Sequence, residues 1–255
     1  MFVGRNLWSP HRTEYRVKFV ASSCTAFHSF LITDDGRVLA WGRNDRGQLG
    51  LGDDKRRDVP TEVPVLKGLN IISGSVGKMH SLFLTSRGQV YACGDNKNGQ
   101  LGIGNQHQMI QTPTKIAYHG KPIVKTACGA EFSMIVDCDG RLYSFGLPQY
   151  GQLGHNTDGQ YFATSNRLAY RCELSPRRIV GFIERTREGH VVPVDGVHII
   201  DVACGQNHSV ALDKKNRVFT WGFGGYGRLG HTDVSFLQNV EFFFNFFIFN
   251  GLIDF

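Results

Sequence analysis

Short apolar runs alternate with polar turns that contain glycine along most of this chain. Residues 28–33 (H-S-F-L-I-T) form an apolar run, residues 34–36 (D-D-G) have the composition of a tight turn, and residues 37–41 (R-V-L-A-W) are again rich in strand-forming side chains. Glycine supplies the positive φ that a tight hairpin requires. The pattern predicts a β-hairpin.

The same hairpin pattern recurs at residues 80–93, 132–145 and 208–221, and each copy runs into a glycine-rich block. These blocks are W-G-R-N-D-R-G-Q-L-G at 41–50, C-G-D-N-K-N-G-Q-L-G at 93–102, F-G-L-P-Q-Y-G-Q-L-G at 145–154 and W-G-F-G-G-Y-G-R-L-G at 221–230. The intervals between blocks are 52, 52 and 76 residues. A period near 50 residues indicates a repeat architecture.

Each repeat contains further strand signals. A strand is predicted before each hairpin, at 17–22, 71–75, 124–128 and 199–204, and a fourth near 60–65 and 113–117. Three to four strands in about 50 residues are typical of a propeller blade. The sequence therefore predicts an all-β fold, a partial β-propeller of about four blades.

We expect the blades at about 15–66, 67–118, 119–196 and 197–233, the last incomplete, after an N-terminal segment at 1–14. The residues expected to carry the repeat are structural rather than chemical. They are Trp41, Gly42, Gly50, Gly94, Gly102, Phe145, Gly146, Gly154, Trp221, Gly222 and Gly230.

These blocks identify a family. The patterns A-C-G-x-x-H-S, D-G-R-[VL]-[LY]-x-[WF]-G and N-x-x-G-Q-L-G, which together cover about residues 15–233, resemble the regulator of chromosome condensation repeat. Finer blocks at 4–12, 127–140, 150–159, 172–178 and 221–231 resemble the second paralogue of that family. The resemblance implies a seven-bladed ring, of which four repeats are present. An open arc with unpaired strand edges and marginal solubility is the expected consequence.

The resemblance also implies a function. It suggests an interaction scaffold that binds small GTPases and chromosome or spindle components in mitosis and cell migration. The implied partners include chromatin or nucleosomes and microtubules, and the implied location is the nucleus and cytoplasm, with chromosomes and the spindle in mitosis. The alternative is a guanine-nucleotide exchange factor for a Ran-, Rac- or Arf-type GTPase. No exchange residues can be matched to this sequence.

The third interval holds 24 extra residues, since 76 replaces 52, and they lie between positions 154 and 199. Apolar strand formers flank a polar turn there, which predicts a long hairpin between blades three and four. Insertions in repeat proteins often form the binding face. We therefore expect partner contacts from Arg177, Arg178, Arg185 and Arg187. The alternative is that the insertion only extends a blade.

The segment 234–255 departs from the repeat, and eight of its 22 residues are Phe. It has no turn punctuation and is too short and interrupted to span a bilayer. Two hypotheses remain open. The segment covers an open blade edge as a strand pair, or it derives from translated non-coding sequence, which the abrupt break inside blade four favours.

Composition narrows the function classes further. A net charge of +6 is mild, and the basic residues are interspersed with acidic ones, so a solvated surface is favoured over a nucleic-acid site. Three of the six cysteines, Cys24, Cys128 and Cys204, share one repeat phase and are expected to be buried on equivalent strands. The sequence shows no nucleophile, phosphate-loop or metal-ligand motif and no base-reading motif. It predicts no enzyme activity beyond GTPase regulation, no cofactor, no metal, no membrane association and no sequence-specific nucleic-acid binding.

Overall fold

Four antiparallel four-stranded sheets follow one another along the chain. A computed structural model describes residues 16–185 and 190–230, together with the backbone of one short strand at Phe243–Phe244. The strands are β1 Val17–Ala21, β2 His28–Thr33, β3 Val38–Gly42, β4 Arg57–Glu62, β5 Ile71–Val76, β6 His80–Thr85, β7 Val90–Asp95, β8 Met109–Lys115, β9 Ile123–Cys128, β10 Phe132–Asp137, β11 Leu142–Gly146, β12 Gln160–Thr164, β13 Arg167–Tyr170, β14 Glu173–Arg178, β15 Ile183–Arg185, β16 Val191–Pro193, β17 Ile199–Cys204, β18 His208–Asp213, β19 Val218–Gly222 and β20 Phe243–Phe244. Single 3-10 turns occupy Pro64–Leu66 and Gly225–Gly227.

The sheets are the predicted blades. Blade one is β1–β4, blade two is β5–β8, blade three is β9, β10, β11 and β14, and blade four is β17–β20. The first strands of successive blades contact one another, β1 with β5, β5 with β9 and β9 with β17, so they form the inner edge of the arc. The prediction of an all-β, partial propeller is confirmed.

The predicted hairpins form because their turns take positive φ. Gly36, Gly88 and Gly140 have φ of 80°, 74° and 72°, and Asn216 takes φ of 61° at the same place in blade four. Asparagine tolerates this region better than most other residues with a side chain. The observed fourth strands β4 and β8 begin earlier than predicted, because their pairing reaches back to Gly42 and Gly94 across a bulge.

The hydrophobic core lies between the blades rather than within one sheet. Alternate residues of β2 and β3 pack against β6 and β7 of the next blade, as Phe30 does against Phe83 with 4.8 Å between ring centroids. Equivalent clusters fill the interfaces between blades two and three and between blades three and four. Full burial of a side chain such as Phe83 contributes about 2–3 kcal/mol. Each blade is therefore held by its neighbours.

The blades expose two faces. Loops from the third to the fourth strand carry the glycine-rich blocks, and we call their side the motif-loop face. The opposite side carries the hairpin turns at 34–37, 86–89, 138–141 and 214–217, and we call it the turn face.

The insertion consists of two short hairpins and not of one long one. β12 pairs with β13 on the motif-loop face, and β15 pairs with β16 on the turn face. Between them β14 pairs with β11 and completes blade three. The residues that carry Arg177 and Arg178 are thus a blade strand, because β11 requires an outer partner as β3 and β7 do.

The predicted segment at 1–14 lies outside the described residues, as does most of the Phe-rich segment at 234–255. Within that segment, Phe243 pairs with Thr220 and Phe244 pairs with Phe219 of β19. This pairing agrees with the hypothesis that the segment covers a blade edge. The hypothesis of a non-coding origin stays untested.

Candidate functional site

Buried asparagine side chains in the glycine-rich blocks form hydrogen bonds to the backbone of the loops in which they lie. The Asn44 side chain accepts a hydrogen bond from the Leu49 amide and donates one to the Asp53 carbonyl, both over 2.9 Å. Asn96 makes the same two bonds in blade two, to Leu101 and Asn105. Buried backbone groups must be paired, so these side chains stabilise the loops.

A hydrogen-bonded latch joins each of the first two interfaces. Ser81 of blade two donates from Oγ to the carbonyl of Gln48 in blade one, over 2.8 Å. His28 of blade one lies 2.7 Å from the same Oγ. Because the Ser81 proton is committed to Gln48, the His28 Nε2–H donates to the serine oxygen. The latch therefore fixes the tautomer of the imidazole.

The latch recurs one repeat later. Ser133 donates to the Gln100 carbonyl over 2.8 Å, and the His80 Nε2 lies 2.9 Å from the Ser133 Oγ. The Nδ1 atoms of His28 and His80 have no partner among the described residues. Burial lowers the pKa of His28 to about 3, with a smaller effect from His80, and lowers the pKa of His80 to about 4. Both imidazoles are neutral at physiological pH and act as structural donors.

The third interface uses a variant of the latch. Phe132 occupies the histidine position and carries no donor. Ser209 still donates to the Gln152 carbonyl over 3.0 Å, and the Trp221 Nε1 donates to the same oxygen over 2.8 Å. A histidine is thus replaceable at this position.

Seven of the eight predicted glycines of the blocks lie where a side chain would collide. Added Cβ atoms at Gly42, Gly94, Gly146 and Gly222 would come within 2.8 Å of backbone beside the histidine position of the same blade. Those at Gly50, Gly102 and Gly154 would meet Pro113, Phe145 and Trp221 of the next blade at 2.7–3.0 Å, while Gly230 has open space. Trp41 is half-buried, and Phe145 and Trp221 are buried. Apart from Gly230, these contacts are consistent with a structural role, which stays a prediction for the whole set.

The cysteines depart from the prediction at one position. Cys128 is buried and Cys204 half-buried, but Cys24 is exposed, because β1 ends at Ala21 and Cys24 lies in the turn that follows. Burial raises the pKa of the Cys128 thiol to about 12. In the described part of the chain all six are free thiols, and no three His, Cys, Asp or Glu residues there form a metal-binding group.

The hairpin of β12 and β13 is the most exposed apolar element of the motif-loop face. Phe162 is 74% exposed, and Tyr161 and Leu168 are exposed as well. Its base is closed by a hydrogen bond from the Arg171 amide to the Gly159 carbonyl over 2.8 Å and packs closely against Pro148. Sequence reasoning located the insertion but missed this part, although aromatic residues at 161 and 162 without a buried partner strand were the available signal.

Tyr226 of blade four adds a second exposed aromatic group on this face. Its side chain is 96% exposed, and its backbone takes φ of 63°, a region that few residues with a side chain adopt. The Arg228 guanidinium lies 5.6 Å from the Tyr226 ring and 4.7 Å from the Phe223 ring. Tyr150 occupies the equivalent position in blade three and packs on Phe223.

The four predicted contact arginines are not gathered on one projecting hairpin. Arg177 and Arg178 lie on β14, where Arg177 pairs with Glu173 at 2.5 Å and Arg178 is exposed. Arg185 ends β15 on the turn face, and Arg187 lies outside the described residues. Their contact with a partner stays a prediction.

Among the described helical residues, none forms a helix long and apolar enough to cross a membrane.

Comparison with known proteins places this arrangement in a family. The model of the regulator of chromosome condensation (RCC1) repeat matches residues 35–84, 87–136 and 139–212. The chain is 56% identical to Protein RCC2 homolog of Xenopus laevis over 91% of its length and 46% of that protein. It is 54% identical to Protein RCC2 of Homo sapiens, again over 91% of its length and 45% of that protein. It thus spans about half the length of these relatives.

The fold agrees with a solved structure of the same architecture. Prp20p from Saccharomyces cerevisiae, described together with its binding to Gsp1p and histones, superposes with a TM-score of 0.69 at 22% identity, over 91% of this chain and 50% of that one. Repeat phase, blade order and family model agree, and the chain belongs to the regulator of chromosome condensation repeat family.

Proposed function

We propose that this chain is an interaction scaffold of its family that binds a small GTPase and chromosome or spindle components. The observation that carries the proposal is the 54–56% identity to RCC2 proteins across 91% of the chain. The binding of Prp20p to Gsp1p and histones supports a GTPase and chromatin as partners. The family resemblance extends the proposal to microtubules, to mitosis and cell migration, and to the nucleus, cytoplasm and mitotic chromosomes as locations.

The proposed GTPase contact is the motif-loop face of blades three and four. Exposed aromatic residues are enriched where proteins bind one another, because they bury much area at a small cost in side-chain entropy. Phe162 and Tyr161 present such area on a hairpin whose base is closed by a hydrogen bond from Arg171 to Gly159. Arg177, Arg178, Arg185 and Arg187 are proposed as additional partner contacts outside this face, since Arg185 lies on the turn face and Arg178 pairs with Tyr143 at the end of β11 nearest to it.

The histidines between the blades are buried, which fits a regulator that carries out no acid–base chemistry. His28 and His80 are buried and neutral, and each is committed to a serine of the next blade. A scaffold needs only surface complementarity, and the proposed function assigns no acid–base step to the chain.

The second candidate function is guanine-nucleotide exchange on a Ran-, Rac- or Arf-type GTPase. The observation that favours it is the same hairpin, because a projecting element that exposes Phe162 can insert into a partner. Exchange requires tighter binding of the nucleotide-free GTPase than of the loaded form, without acid–base chemistry.

One experiment separates the two functions. Ran-, Rac- and Arf-type GTPases loaded with a fluorescent guanine nucleotide are mixed with the full chain, and both complex formation and nucleotide release are followed. Binding without faster release supports the scaffold, and faster release supports exchange. Absence of binding to every GTPase in either nucleotide state contradicts the proposed function.

A matched pair of variants tests the surface. Tyr161→Ser with Phe162→Ser removes apolar area from the motif-loop face, while Val180→Ser removes an equally exposed apolar group, 76% exposed, beyond β14 on the turn face. We expect at least about tenfold weaker binding for the first variant and unchanged binding for the second. Equal effects would contradict the assignment to the hairpin.

A further inference from the structure

A basic cleft lies on the turn face between blades two and three. It has a volume of about 280 Å³ and is walled by the turn after β6, the end of β8 and the loop that leads to β9. Three of its lining residues are basic, namely Arg87, Lys115 and Lys121, His119 lies beside them, and no lining residue is acidic. Within the described residues none of the three basic side chains forms an ion pair, so their charges face solvent uncompensated.

In each of the other three turns of this face the arginine is paired with an acidic residue, although the blade-four turn also carries Lys214 and Lys215. Arg37 pairs with Asp35 in blade one, and in blade three Arg141 pairs with Asp139 at 3.1 Å. In blade four Arg217 pairs with the buried Asp213 at 2.6 Å. The blade-two turn reads S-R-G-Q, with serine and arginine in place of acidic residues. The repeat itself therefore does not require the positive charge of the cleft.

The walls of the cleft are held by backbone contacts. Gly88 has φ of 74°, and its carbonyl accepts a hydrogen bond from the Ile123 amide over 2.9 Å. An added Cβ at Gly88 would lie 2.5 Å from the Pro122 Cβ, so the turn and the loop are in direct contact. A cleft with fixed walls loses little entropy when it binds a ligand.

The loop at residues 119–121 presents backbone donors beside the basic side chains. In the described part of the chain, the amides of His119, Gly120 and Lys121 donate to no backbone or side-chain acceptor. Three successive free amides next to three long cations favour an oxyanion, since hydrogen bonds to a charged acceptor are roughly twice as strong as neutral ones.

We propose that this cleft binds a compact oxyanion group, phosphoryl or carboxylate, on a peptide segment of a protein partner. In the neighbouring turns of blades one and three, Asp35 and Asp139 pair with Arg37 and Arg141, so the unpaired positive charge of the cleft does not continue into them. An extended polyanion such as a nucleic acid, or an anionic membrane, would find no such charge on either side of the cleft. A single anionic side chain flanked by neutral or basic residues needs none there.

The proposal does not rest on the proposed GTPase scaffold, because the cleft and the β12–β13 hairpin lie on opposite faces. Three fluorescein-labelled heptapeptides with neutral flanks are titrated into the full chain at 0.15 M salt, with phosphoserine, glutamate or serine at the centre. In parallel, inorganic phosphate is titrated while the amide resonances of residues 119–121 are followed by NMR.

We expect saturable shifts of the Gly120 and Lys121 amides with phosphate, and at least about tenfold tighter binding of an anionic peptide than of the serine peptide. The phosphoserine and glutamate arms distinguish the two oxyanions. Arg87→Ala with Lys121→Ala should remove the preference. Lys214→Ala with Lys215→Ala removes two basic residues of the blade-four turn on the same face and should preserve it.

Three results would overturn the proposal. One is equal affinity for all three peptides. Another is an equal loss in both double variants, which would indicate only net charge. The last is tighter binding of a 20-base-pair DNA duplex or of phosphatidylserine vesicles than of any peptide, with the same dependence on Arg87 and Lys121. Folding of each variant is checked by its thermal transition.

Discussion

The imidazole of His80 in blade two donates a hydrogen bond to the Oγ of Ser133 in blade three, across a buried interface and over 2.9 Å. His28 and Ser81 repeat this relationship one blade earlier, over 2.7 Å. The two residues are 53 positions apart in both cases. The polar positions of the repeat thus act between blades, and the predictions for stability follow from them.

Acid should weaken the blade interfaces in a pH range where carboxylates are still charged. The folded-state pKa values of His28 and His80 are lowered to about 3 and about 4, against 6.5 in the unfolded chain. The unfolded state therefore binds more protons below pH 6.5. The stability is fully present above that pH and is lost as pH falls toward the folded values. Each histidine should lower the free energy of unfolding by about 1.4 kcal/mol per pH unit.

Denaturant unfolding at pH 6.5, 5.75 and 5.0 measures this dependence, and His80→Phe is its control. The chain already uses Phe132 at the equivalent position, so the substitution should fold. In the variant, the unfolding free energy should change less steeply with pH, by the contribution of one histidine. A slope unchanged by His80→Phe would contradict the assignment.

Ser81→Ala should destabilise the protein by about 2 kcal/mol. The substitution leaves the His28 Nε2–H and the Gln48 carbonyl without their partner in a buried interface, and an unsatisfied buried group costs about 1–3 kcal/mol. Ser29→Ala, at the same repeat position in blade one, removes only a 3.4 Å contact with Ser22 and should cost less than about 0.5 kcal/mol. Chemical denaturation compares the two, and equal costs would count against the latch.

Gly102→Ala should cost about 3 kcal/mol or more, and Gly36→Ala about 1 kcal/mol. Both glycines have positive φ, 65° and 80°, so both substitutions carry the backbone penalty of a left-handed residue. Only at Gly102 does the new methyl group also collide, at 2.7 Å from the Phe145 ring. The difference between the two unfolding free energies isolates the contact between blades two and three.

Alanine at Arg177, Arg178, Arg185 and Arg187 should weaken GTPase binding less than the Tyr161→Ser and Phe162→Ser pair does. Arg177 is already paired with Glu173, and exposed charges contribute modestly to affinity. Complex formation measured at 0.05 M and 0.3 M salt separates the contributions. Unchanged binding of the four-alanine variant at both salt concentrations would remove the arginines from the interface.

The repeat made the blades predictable from sequence, because glycine phases and alternating apolar residues encode local hairpins. For this reason the predicted run 28–33 coincides with β2, and the predicted hairpin at 80–93 covers β6 and most of β7. The pairing of residues distant in sequence was not encoded locally. The assignment of Arg177 to β14 depends on β11 lacking another outer partner, and a window around residue 177 carries no such signal.

The latches illustrate the same limit. In the sequence, Phe132 stands where the other repeats have a histidine, which indicates a structural role for these positions. The serine of the next blade and the glutamine carbonyl behind it become neighbours only when two blades pack. The exposed β12–β13 hairpin was not predicted, because its two strands form a separate sheet and do not belong to a blade.

The hydrogen bond from the serine to the glutamine carbonyl forms at different sequence separations of the two residues. Gln48 and Ser81 are 33 residues apart, as are Gln100 and Ser133, whereas Gln152 and Ser209 are 57 apart. This increase equals the 24 residues by which the third interval exceeds the first two. The same hydrogen bond forms nonetheless, at 3.0 Å. Insertions can therefore lengthen the loops between the blades of such a chain, and change what those loops bind, while the hydrogen bonds between neighbouring blades stay the same.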